Sequence, residues 1–235
     1  MNSGPLLFLG LFVAMVISWL GFVMAPVLQL GDLQSTTNIV VNGTGLVYPN
    51  PMPGMAHQGA EIYRAQGCAS CHTEQVRPRE LGSDIMRGWG VRRSTAYDYL
   101  YDQPVMLGSL RVGPDLANAG QRVNIASVLL RLYEPRALTL GSIMPPYPYL
   151  FDTRKITGAP SPDALPLTGP YAPPAGYEVV PRPEALKLAA YVTSLHQKDY
   201  LFEAPPPFVP KPKTNAPPAS ATGTNAPAKN SPATK

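Results

Sequence analysis

Cys68 and Cys71 stand three positions apart and a histidine follows directly, giving Cys68-Ala69-Ser70-Cys71-His72. Cys-x-x-Cys-His is the attachment sequence of c-type haem. Thioethers at Cys68 and Cys71 would fix one porphyrin, and His72 would ligate its iron from the proximal side. Two other chemistries use a Cys-x-x-Cys pair. A four-thiolate zinc site needs more than the 2 cysteines of this chain, and a thioredoxin-like dithiol follows a strand pattern that is missing before Cys68. The expectation is one covalently bound haem c.

A haem held by His72 alone leaves an axial position, and its occupant decides between electron transfer and chemistry. Met144 is the expected sixth ligand. It lies in SIMPPYPYL, where Pro145, Pro146 and Pro148 stiffen a loop suited to presenting a side chain. Met86 and Met106 in the preceding segment, and Met52 and Met55 further upstream, are alternatives. His57 precedes the first expected helix and His196 falls at the end of the last. Thioether ligation raises the reduction potential and closes the iron to outside ligands, which suits a one-electron relay.

The elements that must position these groups read as helices with long irregular connections. Gln58 to Gln66 forms the first, with Ile62 and Tyr63 pointing inward and the haem motif directly after it. Asn124 caps a second, in which Ile125, Val128, Leu129 and Leu132 recur at helical spacing until Pro135. Pro183 and Glu184 open a third, carrying Leu188, Tyr191, Val192 and Leu195. Few segments alternate like strands, so an all-α haem domain is expected, with the macrocycle supplying part of the core.

Haem attachment of this kind takes place outside the cytoplasm, so the chain must be exported. No charged side chain occurs from Met1 to Gly31. As a helix, Pro5 to Leu30 would run about 39 Å against a hydrocarbon core of about 30 Å. A cleavable signal peptide is the rival. It would have a basic start and a shorter apolar run, and Pro26 would sit just after the cut. One transmembrane anchor is therefore expected over 1–31, with everything beyond it on the periplasmic or outer face. Gly10, Ala14, Ser18, Gly21 and Ala25 fall within an arc of about 80° on a regular helix, a stripe suited to close helix packing in lipid.

Residues 32–57, rich in Asn, Gly, Thr and Pro, read as an extended spacer lifting the haem domain off the membrane. Residues 58–203 form that domain. From Ala204 to Lys235 the composition falls to Pro, Ala, Thr, Asn, Ser and Lys, a disordered tail. The formal charge of +4 belongs to Lys211, Lys213, Lys229 and Lys235 in that tail. The remainder is balanced, which argues against nucleic acid as a partner.

The order of a GAEIY helix, GCASCH, GPDL, a Met-Pro loop and a terminal helix resembles a class I cytochrome c. That resemblance implies that Pro114 offers its carbonyl to the His72 ring N–H. A narrower one covers Ile62 to Phe151, where CHTEQVRP, YLYDQPVMLGSLRVGPDLANAGQR, LYEPR and SIMPPYPYL are similar to the monohaem subunit II of cbb3-type cytochrome c oxidases. It implies a relay in the inner membrane of a bacterium. Electrons would come from a dihaem cytochrome c subunit or a soluble cytochrome c and pass to a haem-copper catalytic membrane subunit, with no oxygen chemistry on this chain. Arg77, Arg111 and Arg122 lie in the matching pieces. They suit either haem propionates or salt bridges at the surface or a subunit interface. Residues 155–182 match nothing that can be aligned. The alternatives are the electron-transfer subunit of a nitric oxide reductase and, from another class, a haem enzyme or gas sensor with an open sixth position.

Overall fold

A computed structural model describes residues 3–37, 47–197 and 199–205. The apolar N-terminal run is one helical rod, Gly4–Leu30, of 27 residues with mean hydropathy 2.5 and no part of it buried. Among the described residues it is the one helix long and apolar enough to cross a membrane. It divides into α1 (Gly4–Trp19) and α2 (Ala25–Leu30), joined by a π turn at Leu20–Met24 in which the Ala25 N–H reaches the Leu20 carbonyl. Pro26 explains the turn. It has no N–H, and its ring crowds the carbonyl four residues back, so the ladder widens before it. The wider turn also changes the phase between Gly10, Ala14 and Ser18 and the small residues that follow.

The remaining helices are α3 (Gly54–Ala65), α4 (Ile125–Tyr133) and α5 (Pro183–Ser194). α3 begins before the expected Gln58 because the Pro53 carbonyl already accepts from His57 N–H at 2.9 Å. The α4 start is as expected: the Asn124 side chain accepts from Ser127 N–H at 2.9 Å, and Ser127 answers with a bond to the Asn124 carbonyl at 2.8 Å. α3 packs on α5, with Tyr63, Leu188 and Tyr191 each 1 % exposed and the two tyrosine rings 5.2 Å apart. Gly59 allows that approach. A Cβ there would lie 2.0 Å from the Lys187 carbonyl oxygen. Burial of each large side chain in this seam contributes about 1.5–3 kcal/mol.

The all-α expectation requires correction. β1 (Phe151–Lys155) and β2 (Tyr177–Pro181) form an antiparallel pair, with Phe151 opposite Pro181 and Lys155 opposite Tyr177. Neither strand alternates. β1 buries only Phe151, and β2 buries Glu178, Val179 and Val180 in succession, so the period-two signal of a half-buried strand is missing.

The described part of 32–57 is packed on the domain. Thr36 and Tyr48 exchange two backbone hydrogen bonds, of 3.0 and 2.9 Å. The buried Tyr48 donates its hydroxyl to Asp98 and accepts from Arg92 Nη2 at 2.9 Å. Arg92 and Asp98 form an ion pair of 2.7 Å with both side chains fully buried, and Arg92 Nε also reaches the Asp199 carbonyl at 2.5 Å. Of the expected tail, 206–235 and its four lysines lie outside the described residues.

Candidate haem site

The Cys-x-x-Cys-His stretch closes on itself before it meets the rest of the site. Cys71 N–H and His72 N–H both donate to the Cys68 carbonyl, at 3.1 and 3.0 Å. That turn is then fastened to the Gly113–Leu116 segment: Gly113 N–H donates to the Cys71 carbonyl at 2.9 Å and Leu116 N–H to that of Thr73 at 2.7 Å. The wholly buried Asp115 reinforces the seam, accepting from Thr73 Oγ1 at 2.6 Å, Gln75 N–H at 2.8 Å and Ala117 N–H at 3.0 Å.

This seam sets the imidazole. His72 Nδ1 lies 2.8 Å from the Pro114 carbonyl oxygen, so that nitrogen carries the proton and Nε2 is left free to ligate a metal. Burial lowers the proton affinity of the ring, which favours the neutral form a metal requires. Gly113 leaves room for it, since a Cβ there would fall 2.2 Å from the ring.

His72, Cys68 and Cys71 line a cavity of about 540 Å³. Leu116, Val128, Leu132, Leu188 and Val192 give it apolar walls. Met144 lines it too, on a loop tied to α4 by the Tyr147 N–H and the Leu132 carbonyl at 2.8 Å. The other candidate ligands stand elsewhere. Met86 is 76 % exposed, Met52, Met106 and His57 line a separate cavity of about 310 Å³, Met55 is exposed on α3, and His196 is exposed beside the Ser194 carbonyl.

The residues present fit a haem. The volume lies in the range of about 300–1,000 Å³ usual for cofactor sites. Neither cysteine is in a disulfide. The Tyr63 hydroxyl, buried at the cavity wall beside Glu74, makes no hydrogen bond among the described residues. Burial pushes the Glu74 carboxyl itself up to about 8, against the Tyr191 hydroxyl that bonds both its oxygens at 2.8 and 2.9 Å. No group of three or more His, Cys, Asp and Glu side chains able to hold a metal ion occurs among the described residues.

The three arginines separate. Arg122 lines the cavity and donates to the Asp115 carbonyl. Arg77 and Arg111 stand outside its lining and converge on the buried Asp84, at 2.9 and 2.5 Å. Burial would raise the Asp84 carboxyl, but the hydrogen bonds from Arg77 and Arg111 outweigh it and hold the group at about 2. Arg131, which no motif singled out, also lines the cavity. It was legible in principle, because it lies three positions after Val128 on the same face of α4.

A search of curated proteins returned no match for the chain. A family model described as "Cytochrome C oxidase, mono-heme subunit/FixO" matches residues 7–161. The match takes in most of the apolar helix, the Cys68 to His72 turn, the Gly113–Leu116 seam and the Met144 loop. The chain belongs to this family of mono-haem cytochrome c oxidase subunits.

Proposed function

We propose that this chain is the membrane-anchored relay of a cbb3-type cytochrome c oxidase, with a class I cytochrome c domain on the periplasmic face of a bacterial inner membrane. As a mono-haem subunit of cytochrome c oxidase it carries one haem, serves electron transfer and associates with the catalytic subunit. In our reading Cys68 and Cys71 would hold that haem covalently, His72 and Met144 would ligate its iron, and Arg122 and Arg131 would pair with its propionates. Single electrons arrive from a dihaem cytochrome c subunit or a soluble cytochrome c and leave for the haem-copper catalytic subunit. The helix Gly4–Leu30 is the uncleaved anchor, in contact with lipid.

One observation carries this reading. Among the described methionines, Met144 alone lines the cavity that His72 and both cysteines line. The bound group supplies a one-electron couple. The chain contributes what makes that couple a relay: Pro114 fixes the His72 tautomer, Met144 fills the position an outside ligand would need, and the apolar walls exclude water. Cys71, Val112 and Ile143 are exposed where they line the cavity, which gives the electron a short way out.

The full chain, purified from membranes in mild detergent, tests the reading. Haem stain should follow the chain through a denaturing gel and be lost in a Cys68→Ala, Cys71→Ala variant. A multi-helix haem-copper subunit should co-purify. A nitric oxide reductase catalytic subunit in its place would move the chain to that complex, and rapid carbon monoxide binding by the reduced protein would move it to the haem enzymes or gas sensors.

A further inference from the structure

No motif accounts for segment 151–181, and the family match ends inside it, at residue 161. The segment begins where the Met144 loop stops. Of the residues from Met144 to Leu150, Pro145, Pro146 and Pro148 have no N–H to donate. The loop's own backbone supplies a hydrogen bond from Leu150 N–H to the Tyr147 carbonyl at 3.1 Å, and further support must come from outside. On one side α4 gives it, through the Tyr147 bond to Leu132. On the other side the donors come from Arg182, directly after β2.

Arg182 N–H donates to the Leu150 carbonyl at 3.0 Å, and its Nη1 to the Tyr149 carbonyl at 3.1 Å. Its Nε and Nη2 reach Asp152 at the start of β1, at 2.8 and 2.7 Å. One side chain thus joins the end of the loop to the first residues of the hairpin. The hairpin in turn is anchored inward. Leu165, in the β1–β2 connection, donates its N–H to the Val179 carbonyl at 2.8 Å. Its side chain is buried in one apolar cluster with Leu150, Phe151, Val179 and Leu132. Leu167 and Met144 pack against the same cluster, and the Phe151 ring stands edge-on to Tyr133 of α4 at 5.3 Å.

From these contacts we propose that segment 151–181 braces the Met144 loop, with Arg182 as its latch, and so keeps the thioether on the iron. Arg182 and Leu165 are positioning residues: they touch the loop, and the loop presents the ligand. The inference rests on Met144 being the sixth ligand, and adds that this ligation depends on the chain as far on as Arg182, 38 positions beyond it. Without the brace the proline-rich loop would open more often, and each opening would expose the sixth position.

The test compares the full-length holoprotein with Arg182→Ala, Leu165→Ala and Arg154→Ala variants. Arg154 pairs with Glu178 at 2.8 Å on the same hairpin, away from the loop. Two readouts follow the ligand: the weak far-red sulfur-to-iron charge-transfer band of the oxidised protein, and the rate of carbon monoxide binding to the reduced protein. Arg182→Ala should weaken the band and speed carbon monoxide binding by about tenfold, the ratio expected for one lost charge-assisted hydrogen bond, and Leu165→Ala, which empties a position in the apolar cluster the loop packs on, should act in the same direction. Arg154→Ala should change neither. A folded Arg182→Ala protein with the parent band and rate overturns the brace, as does an equal acceleration in Arg154→Ala, which would mean general loosening. Absence of the band from the unmodified protein instead overturns the assignment of Met144, and the brace with it.

Discussion

His72 Nδ1 and the Pro114 carbonyl oxygen are 2.8 Å apart, and Gly113, next to Pro114, sits so close to the ring that a single methyl group would collide with it. The bond and the missing side chain act together. Gly113→Ala places its Cβ 2.2 Å from the ring, so the imidazole must turn away from Pro114. Loss of such an outer partner typically costs 10–100-fold in metal affinity or activity. The expected result is a haem still attached through Cys68 and Cys71 but with a shifted reduction potential, read by redox titration. An unchanged potential would mean that Pro114 does not orient the ligand.

Met144→Leu keeps the volume of the side chain and removes the sulfur. Volume-conserving swaps usually cost less than about 1.5 kcal/mol, so the variant should fold. The far-red charge-transfer band should vanish, the reduction potential should fall, and reduced protein should bind carbon monoxide. Retention of the band would transfer the ligand role to another residue.

Asp84 gives the protein an acid limit. Its folded value of about 2 lies below the unfolded value of about 3.9. Between those values the unfolded chain binds more protons than the folded one, so stability is full above about pH 4 and is lost as pH falls through 2. The contribution is roughly 2 kcal/mol. Asp84→Asn should lose it at neutral pH and flatten the acid limb of a plot of stability against pH.

Arg92→Met leaves the buried Asp98 without its partner. Breaking a buried ion pair from one side costs about 3–5 kcal/mol, which in a domain of this size is a fall in Tm of about 10 °C. Protease cleavage within 47–53 should rise in parallel, because Tyr48 loses one of its two hydroxyl partners. Adding Asp98→Asn should recover part of the loss, as coupled residues do in a double-mutant cycle.

What was legible in the sequence was whatever is local along the chain. The Asn124 cap, the helical repeat through Leu132, the Pro183 start of α5 and the ligand candidate in the Met-Pro loop each announce themselves within a few residues. Contacts made across long separations did not. Arg77 and Arg111 could be read equally well as propionate ligands or salt-bridge partners, because nothing linear says that both meet Asp84, seven and 27 positions away. The β1–β2 pair was missed for a related reason. Its strands are buried according to how the connection between them folds back, with Leu165 packed in one cluster with Val179.

The Thr36–Tyr48 bridge sets a limit on travel. Residues 31–36 can extend no further than about 20 Å, and Thr36 is bonded to a residue locked against Arg92 and Asp98. The domain is leashed close to the end of its helix. Confinement of that kind turns a collision between two diffusing proteins into an encounter within one assembly, at an effective concentration in the millimolar range. Turnover between this chain and a catalytic subunit bound to it should therefore be first order in that complex.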